Sequence, residues 1–216
     1  MIILGITGSI GMGKSTAAGM VRRLGVPVHD ADRVVHGLLA RGGAAVRAVE
    51  AAFGAGVIDD GAVDRPRLGA RVFGDPQALK ALEGILHPLV RLAERRFLAL
   101  SAARREPLVA LDIPLLFETG AERRLDATLV VTAPAFVQRA RVLARRGMSG
   151  EKLDAILKRQ TPDREKRARA DFLLMTGLGK GPALRRLVRI VKIAAARPAR
   201  HWPPRRPLPF AGNLDA

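Results

Sequence analysis

The residues with the most chemical content stand near the amino terminus. Gly8-Ser-Ile-Gly-Met-Gly13-Lys14-Ser15 satisfies the pattern G-x-x-x-x-G-K-[ST] over its full length. Glycines let successive backbone N–H groups turn toward phosphate oxygens without interference from a Cβ. A helix opening near Lys14 adds the positive end of its dipole. The Lys14 ammonium then reaches the β- and γ-phosphates, and the Ser15 hydroxyl is a ligand for Mg²⁺. Gly11, Met12 and Gly13 are small or flexible enough not to obstruct the anion. Thr16 either adds a hydroxyl near the α-phosphate or hydrogen-bonds within the first helical turn. The motif reads as a nucleoside-triphosphate site, with ATP and Mg²⁺ as its expected occupants.

Acidic residues supply the rest of the chemistry. Asp30 and Asp32 follow the apolar stretch Val26-Pro-Val-His29, and ligand clefts of open α/β sheets lie off the carboxyl ends of strands. One carboxylate there can accept a hydrogen bond from an acceptor hydroxyl and orient it toward a γ-phosphate. In an extended backbone the two side chains point to opposite sides, so only one acts. Capping the following helix is a good reading of Asp30 and a poorer one of Asp32. Val109-Ala-Leu-Asp112 is an apolar run ending in an acid, the Walker-B arrangement that holds Mg²⁺.

These groups must be positioned by a scaffold, and the periodicity describes one. Ile2–Thr7, Val26–His29, Leu108–Ile113, Leu125–Thr132 and Phe172–Met175 read as strands, with helical stretches between them. Strands alternating with helices predict a parallel sheet with crossover helices. From Ala44 to Ala103 the pattern is helical, interrupted by glycines and by Pro66 and Pro76. That block is too long for one crossover and reads as a helical insertion. Pro134–Arg146 and Gly150–Gln160 are amphipathic and separated by Gly147, and Pro182–Ala196 reads as a last helix. The domain reading is a core of 1–43, 104–133 and 168–196, an acceptor-binding insertion of 44–103, a lid of 134–167, and a basic Pro-rich tail of 197–216, extended and mobile.

Composition narrows the classes. At 216 residues, 48% apolar and 26% charged, the chain has material for a core and is not of disordered type. It contains no cysteine, which excludes disulfides, thiolate metal sites and thiol catalysis, and fits a cytoplasmic setting. The opening apolar run lacks a basic flank and is too short to span a bilayer, so no membrane role is expected. The formal net charge is +17, and 9 of the 37 Lys and Arg fall after residue 178 against a single acid, Asp215. Such a balance attracts phosphate-bearing partners or reflects Arg on solvated faces.

Other runs complete a pattern. Gly5-Ile-Thr-Gly-Ser-Ile-Gly-Met-Gly-Lys-Ser-Thr16, Asp30-Ala-Asp32, Val63-Asp64, Arg71-Val-Phe73, Leu82-Glu83, His87-Pro88, Asp112-Ile-Pro-Leu-Leu-Phe-Glu118, Gln138 with Arg141 and Arg145, Gln160, Lys166 and Ala170-Asp171 occur in this order. Together they resemble dephospho-CoA kinase across about residues 2–178. The resemblance implies a P-loop NTPase-type parallel sheet flanked by helices, with a helical substrate-binding insertion and a helical lid. It implies transfer of the γ-phosphoryl group of ATP to the ribose 3′-hydroxyl of dephospho-CoA, a small-molecule partner rather than nucleic acid. Asp32 would orient the acceptor, with His87, Leu115 and Phe117 touching it. Arg141 and Arg145 would close on the transferring group, since a guanidinium offers a fixed fork to phosphate oxygens. Helical spacing puts those two on one face, leaving Arg139 and Arg146 as solvated residues.

Three positions depart from the family pattern: His29, Arg146 and Met175-Thr176-Gly177, the last bearing on contacts to the adenine side. His87 before Pro88 is also compatible with simple closure of a helix. A related kinase with another hydroxyl acceptor shares most of these features. An RNA- or DNA-binding NTPase, suggested by the charge and the tail, predicts instead a strongly salt-dependent affinity for polynucleotides.

Overall fold

The computed structural model describes residues 1–203. In chain order the elements are β1 (Ile2–Thr7), α1 (Lys14–Arg23), β2 (Val28–Asp30), α2 (Ala31–Leu39), α3 (Val46–Phe53), β3 (Ile58–Asp59), β4 (Ala62–Val63), α4 (Arg65–Val72), α5 (Pro76–Ala103), β5 (Leu108–Asp112), β6 (Ala127–Thr132), α6 (Ala135–Leu143), α7 (Gly150–Lys158), α8 (Asp163–Arg169), β7 (Phe172–Met175) and α9 (Lys180–Ala195). The described residues form two compact units, residues 1–29 with 101–203 and residues 30–100.

The larger unit is built on a five-stranded sheet in the order β2-β5-β1-β6-β7. β1 pairs in parallel with both β5 and β6, and β6 pairs in parallel with β7. β1, β5 and β6 are buried along their whole length. That explains why they read as continuous Ile/Leu/Val runs rather than alternating ones, as strands covered on both faces do. One apolar cluster holds Ile2, Leu4 and Ile6 of β1 with Ala17, Met20 and Val21 of α1 and Ala183, Leu187 and Ile190 of α9. A parallel sheet brings the carboxyl ends of β1, β5, β6 and β7 to one edge, so the loops that follow them share a neighbourhood.

The smaller unit has its own core of Leu39, Ala45, Val46, Val49, Val57, Val63 and Leu68, joined by Val35, Leu38, Leu82, Ile85 and Leu89. Helix α2, grouped with the core by the sequence reading, supplies part of this cluster, and the division therefore falls after His29 rather than after residue 43. The block read as wholly helical also contains a short antiparallel ladder, with Ile58 opposite Val63 and Asp59 opposite Ala62. The turn between them uses Asp60 and Gly61, both at positive φ. Two-residue strands are too brief to show a period, which hides them in the sequence. Helix α5 runs through Pro88 without ending, so His87 does not close a helix.

The start of the Pro-rich tail is tied down rather than mobile. Asp126 accepts from the Arg200 and His201 N–H groups at 2.6 and 3.2 Å. Arg197 pairs with Asp171 at 2.6 Å and lies over the Phe172 ring. Residues 204–216 of the tail lie outside the described residues.

Candidate active site

β1 ends at Thr7, and the glycine-rich loop turns directly into α1. Gly13 stands at the helix N-cap in the left-handed region, φ 91°, and no side chain caps the helix. Gly11 also has positive φ, 77°, and a Cβ there would come within 2.6 Å of Val142 Cγ2 and 3.0 Å of the Gln138 carbonyl. The glycines at 11 and 13 are thus required by backbone conformation, and the first at least by crowding as well. The amides of the first α1 turn are left to face an anion, and no acidic residue occupies that turn.

The rest of the loop is held from behind. Met12 N donates to Ser9 O at 3.1 Å. The Met12 side chain is buried, its sulfur accepting from Ala133 N. Met12 therefore serves as an anchor under the cradle, a stronger role than merely leaving the phosphates room. Thr176 Oγ1, just past β7, donates to Met12 O at 2.8 Å.

At the end of β5, Asp112 is buried, and its Oδ1 lies 2.5 Å from Lys14 Nζ. Ser15 is exposed at the opening of α1. The Asp112 carboxylate and Ser15 hydroxyl are hard oxygen donors. Among the described residues no group of three or more His, Cys, Asp or Glu side chains gathers to enclose an ion. A sparse oxygen set of this kind fits Mg²⁺, which takes its remaining ligands from phosphate and water.

Beside the loop lies a cavity of about 290 Å³ lined by Gly11, Thr16, Arg141, Arg145, Thr176 and Lys180 among others. Thr16 is exposed there. Arg141 and Arg145 share a cavity as their spacing predicts, while Arg139 pairs with Asp154 at 3.7 Å. Sequence reasoning sends both cavity arginines to the transferring group. The Arg141 fork is instead engaged with Thr176, Nη1 to Oγ1 and Nη2 to the carbonyl oxygen, each at 2.9 Å. Arg145 lines the same cavity. Thr176, a departure in the sequence, is therefore a junction between β7, the loop and α6.

The Pro-Leu-Leu-Phe-Glu run divides its labour. Leu115 is 42% exposed, whereas Phe117 is 6% exposed with Arg169 over its ring. Glu118 accepts from Thr161 N at 2.7 Å and pairs with the fully buried Lys166 at 2.9 Å. Burial pushes the Glu118 carboxyl up, but the Lys166 ammonium beside it and backbone N–H donors outweigh it and hold the group below its ordinary value. Gln138 and Gln160 stand in the family pattern without an expected role, and both touch the loop at Ile10.

In the smaller unit Asp30 caps α2, its Oδ1 accepting from Arg33 N at 3.1 Å, while Asp32 sits exposed in the first turn. The capping role expected for Asp30 is thus present in the local geometry, and Asp32 is left free of that role. His87 is exposed on α5.

Comparison with known proteins agrees with this anatomy. The family model described as dephospho-CoA kinase matches residues 2–178. The chain is 68% identical over 167 residues to the dephospho-CoA kinase of Paramagnetospirillum magneticum, covering 77% of this chain and 78% of that one. It is 59% identical over 187 residues to that of Rhodospirillum rubrum, covering 86% and 88%. A crystal structure of a Thermus thermophilus protein superposes with TM-score 0.75 at 43% identity, over 89% of this chain and 96% of the other. With the family model matched over residues 2–178 and relatives this similar over most of their length, this chain belongs to the dephospho-CoA kinase family.

Proposed function

We propose that the chain's own residues divide the transfer reaction as follows. The protein phosphorylates dephospho-CoA with ATP, giving coenzyme A and ADP, as its family membership and its relatives' names support. The first-turn amides of α1 and the Lys14 ammonium receive the triphosphate, and Lys14 moves from Asp112 to the β- and γ-oxygens. Ser15 and Asp112 would hold Mg²⁺, which would supply charge neutralisation to the bound phosphates. Asp32 accepts a hydrogen bond from the ribose 3′-hydroxyl and takes its proton as that oxygen bonds to the γ-phosphorus and the bond to the ADP oxygen breaks. Arg145 stabilises the charge spread over the transferring group, and Arg141 braces the nucleotide cavity through Thr176. Leu115 and His87 contact the acceptor, and Phe117 supports Leu115 from within.

The reading assigns 134–167 as a lid over the donor, excluding water so that the phosphoryl group reaches the alcohol rather than hydroxide. It places the reaction in the cytoplasm, and none of the described helices is long and apolar enough to cross a membrane.

The observation that carries the proposal is the intact phosphate loop with Lys14 held against the buried Asp112. The test is ADP release from ATP and Mg²⁺, with dephospho-CoA and with polynucleotide added separately. Release that requires dephospho-CoA and ignores polynucleotide is expected. Release stimulated by RNA or DNA would assign the chain to a different class.

A further inference from the structure

Two glutamines from either end of one helical segment grip the same residue of the phosphate loop. Gln160, two residues after α7, accepts from Ile10 N through its Oε1 at 3.2 Å. Gln138 on α6 donates from Nε2 to Ile10 O at 2.7 Å. The contacts cross 150 and 128 residues of sequence, and Gln138 is itself buried. We propose that Gln138 and Gln160 are positioning residues that jointly clamp Ile10, setting the loop for the triphosphate and pinning both roots of the segment that carries Arg141 and Arg145.

The argument is one of directed hydrogen bonding. Loop residues in a phosphate cradle have backbone groups that can turn either inward or outward, and each choice costs conformational entropy to fix. An amide side chain is neutral and carries both donors and an acceptor in one plane. Here one glutamine presents its donor and the other its acceptor, so both polar groups of Ile10 are turned away from the anion. The residue that follows is Gly11, whose positive φ needs a defined entry direction. Gln138 lies one helical turn from Arg141 (i, i+3) and so shares its face. Gln160 is fixed in turn, because the adjacent Thr161 N donates to Glu118, the partner of buried Lys166. Movement of the segment is thereby confined to the stretch between residues 138 and 160, and the cradle registers its position.

This inference rests on the kinase reading only for the identity of the donor, so its test uses direct ATP binding without acceptor, followed by steady-state kinetics. Gln138→Met and Gln160→Met remove the polar contacts at nearly constant volume. Each is expected to weaken ATP binding about fivefold to tenfold, within what one or two lost hydrogen bonds produce. The KM for dephospho-CoA should stay within about twofold. Because both act on one residue, the double variant should lose little more than either single one, a sub-additive cycle. Glutamate substitutions should split in sign. Gln160→Glu still accepts from Ile10 and should bind ATP better than Gln160→Met. Gln138→Glu sets a carboxylate against the Ile10 carbonyl and should bind worse than Gln138→Met. Unchanged ATP affinity in both methionine variants, multiplicative losses, or the same sign for glutamate at both sites would overturn the clamp. Thermal melts of each variant separate loss of the clamp from loss of the fold. Failure of the parent chain to use dephospho-CoA would strike the functional reading and leave the binding test standing.

Discussion

Lys14 Nζ rests 2.5 Å from Asp112 Oδ1, one carboxylate oxygen of an acid that is almost wholly buried. Lys14 opens α1, directly after the loop that follows β1, and Asp112 ends β5; the two strands are parallel neighbours in which Ile6 is paired with Asp112 itself. A buried carboxylate without a counter-charge is costly, and removing one partner of such a pair is more harmful than removing both.

The first prediction follows from that asymmetry. Lys14→Met should reduce kcat/KM for ATP by about a hundredfold or more, because the cation facing the triphosphate is lost. It should also lower the melting temperature of the nucleotide-free protein. Lys14→Met combined with Asp112→Asn should recover much of the melting temperature while activity stays lost. Melting curves of the three variants measure it, and equal melting temperatures for the single and double variants would remove the pair from the stability of the core.

Asp32 offers the cleaner catalytic test because it is exposed in the first turn of α2, where Asp30 already supplies the cap. Asp32→Asn should leave folding and ATP affinity near those of the parent. Turnover should fall by about 10²- to 10⁴-fold, the usual contribution of a positioned proton acceptor. Asp30→Asn retains a capping oxygen and should cost turnover far less. Rates measured at saturating ATP and dephospho-CoA decide between the two carboxylates.

The large unit and its phosphate loop are legible in the sequence because their determinants are local. A strand covered on both faces must be a continuous apolar run, and a cradle needs glycine at fixed offsets, as Gly11 and Gly13 show. The Asp30 cap is likewise visible, since the contact spans three residues. What escapes is whatever depends on partners far along the chain. Gln138 and Gln160 belong to the family pattern and Thr176 departs from it, but their partners Ile10, Met12 and Arg141 emerge only from the fold. The boundary at His29 escapes for a similar reason: the apolar face of α2 is evident, but which core it enters is not. Arg141 and Arg145 share a face by spacing, while only the tertiary contact to Thr176 tells their engagements apart.

The Glu118–Lys166 pair should leave a signature in acid. The Glu118 carboxyl is held below its ordinary value of 4.5, so the native state binds fewer protons than the unfolded chain around that pH. Its contribution is therefore complete above the ordinary value and is lost as pH falls through the depressed native one. Protonation also strands the buried Lys166 ammonium. Urea unfolding from about pH 6 down to about pH 2 should show stability falling on the acid side, below the ordinary carboxylate value. Glu118→Gln should be less stable at neutral pH and flatter in its pH dependence. A variant that keeps the parent's acid slope would assign that slope to other carboxylates, Asp171 first among them, since burial raises it but Arg197 and Thr128 together hold it low.

Thr176 tests whether the junction or only the space it fills matters to nucleotide binding. Its hydroxyl donates to Met12 O and accepts from Arg141, joining the loop to α6. Valine keeps the shape and removes both contacts, leaving the buried Met12 carbonyl and part of the Arg141 fork without this partner. Thr176→Val should raise the KM for ATP by about threefold to tenfold with kcat changed far less, the effect expected from loss of binding rather than of chemistry. Serine retains the hydroxyl and loses a methyl group, so Thr176→Ser should stay within about twofold of the parent. Should valine bind ATP like the parent while serine weakens it, the methyl contact with the Gly13 turn would be the operative feature, because a Cβ at Gly13 would already lie 3.4 Å from the Thr176 Cγ2 atom.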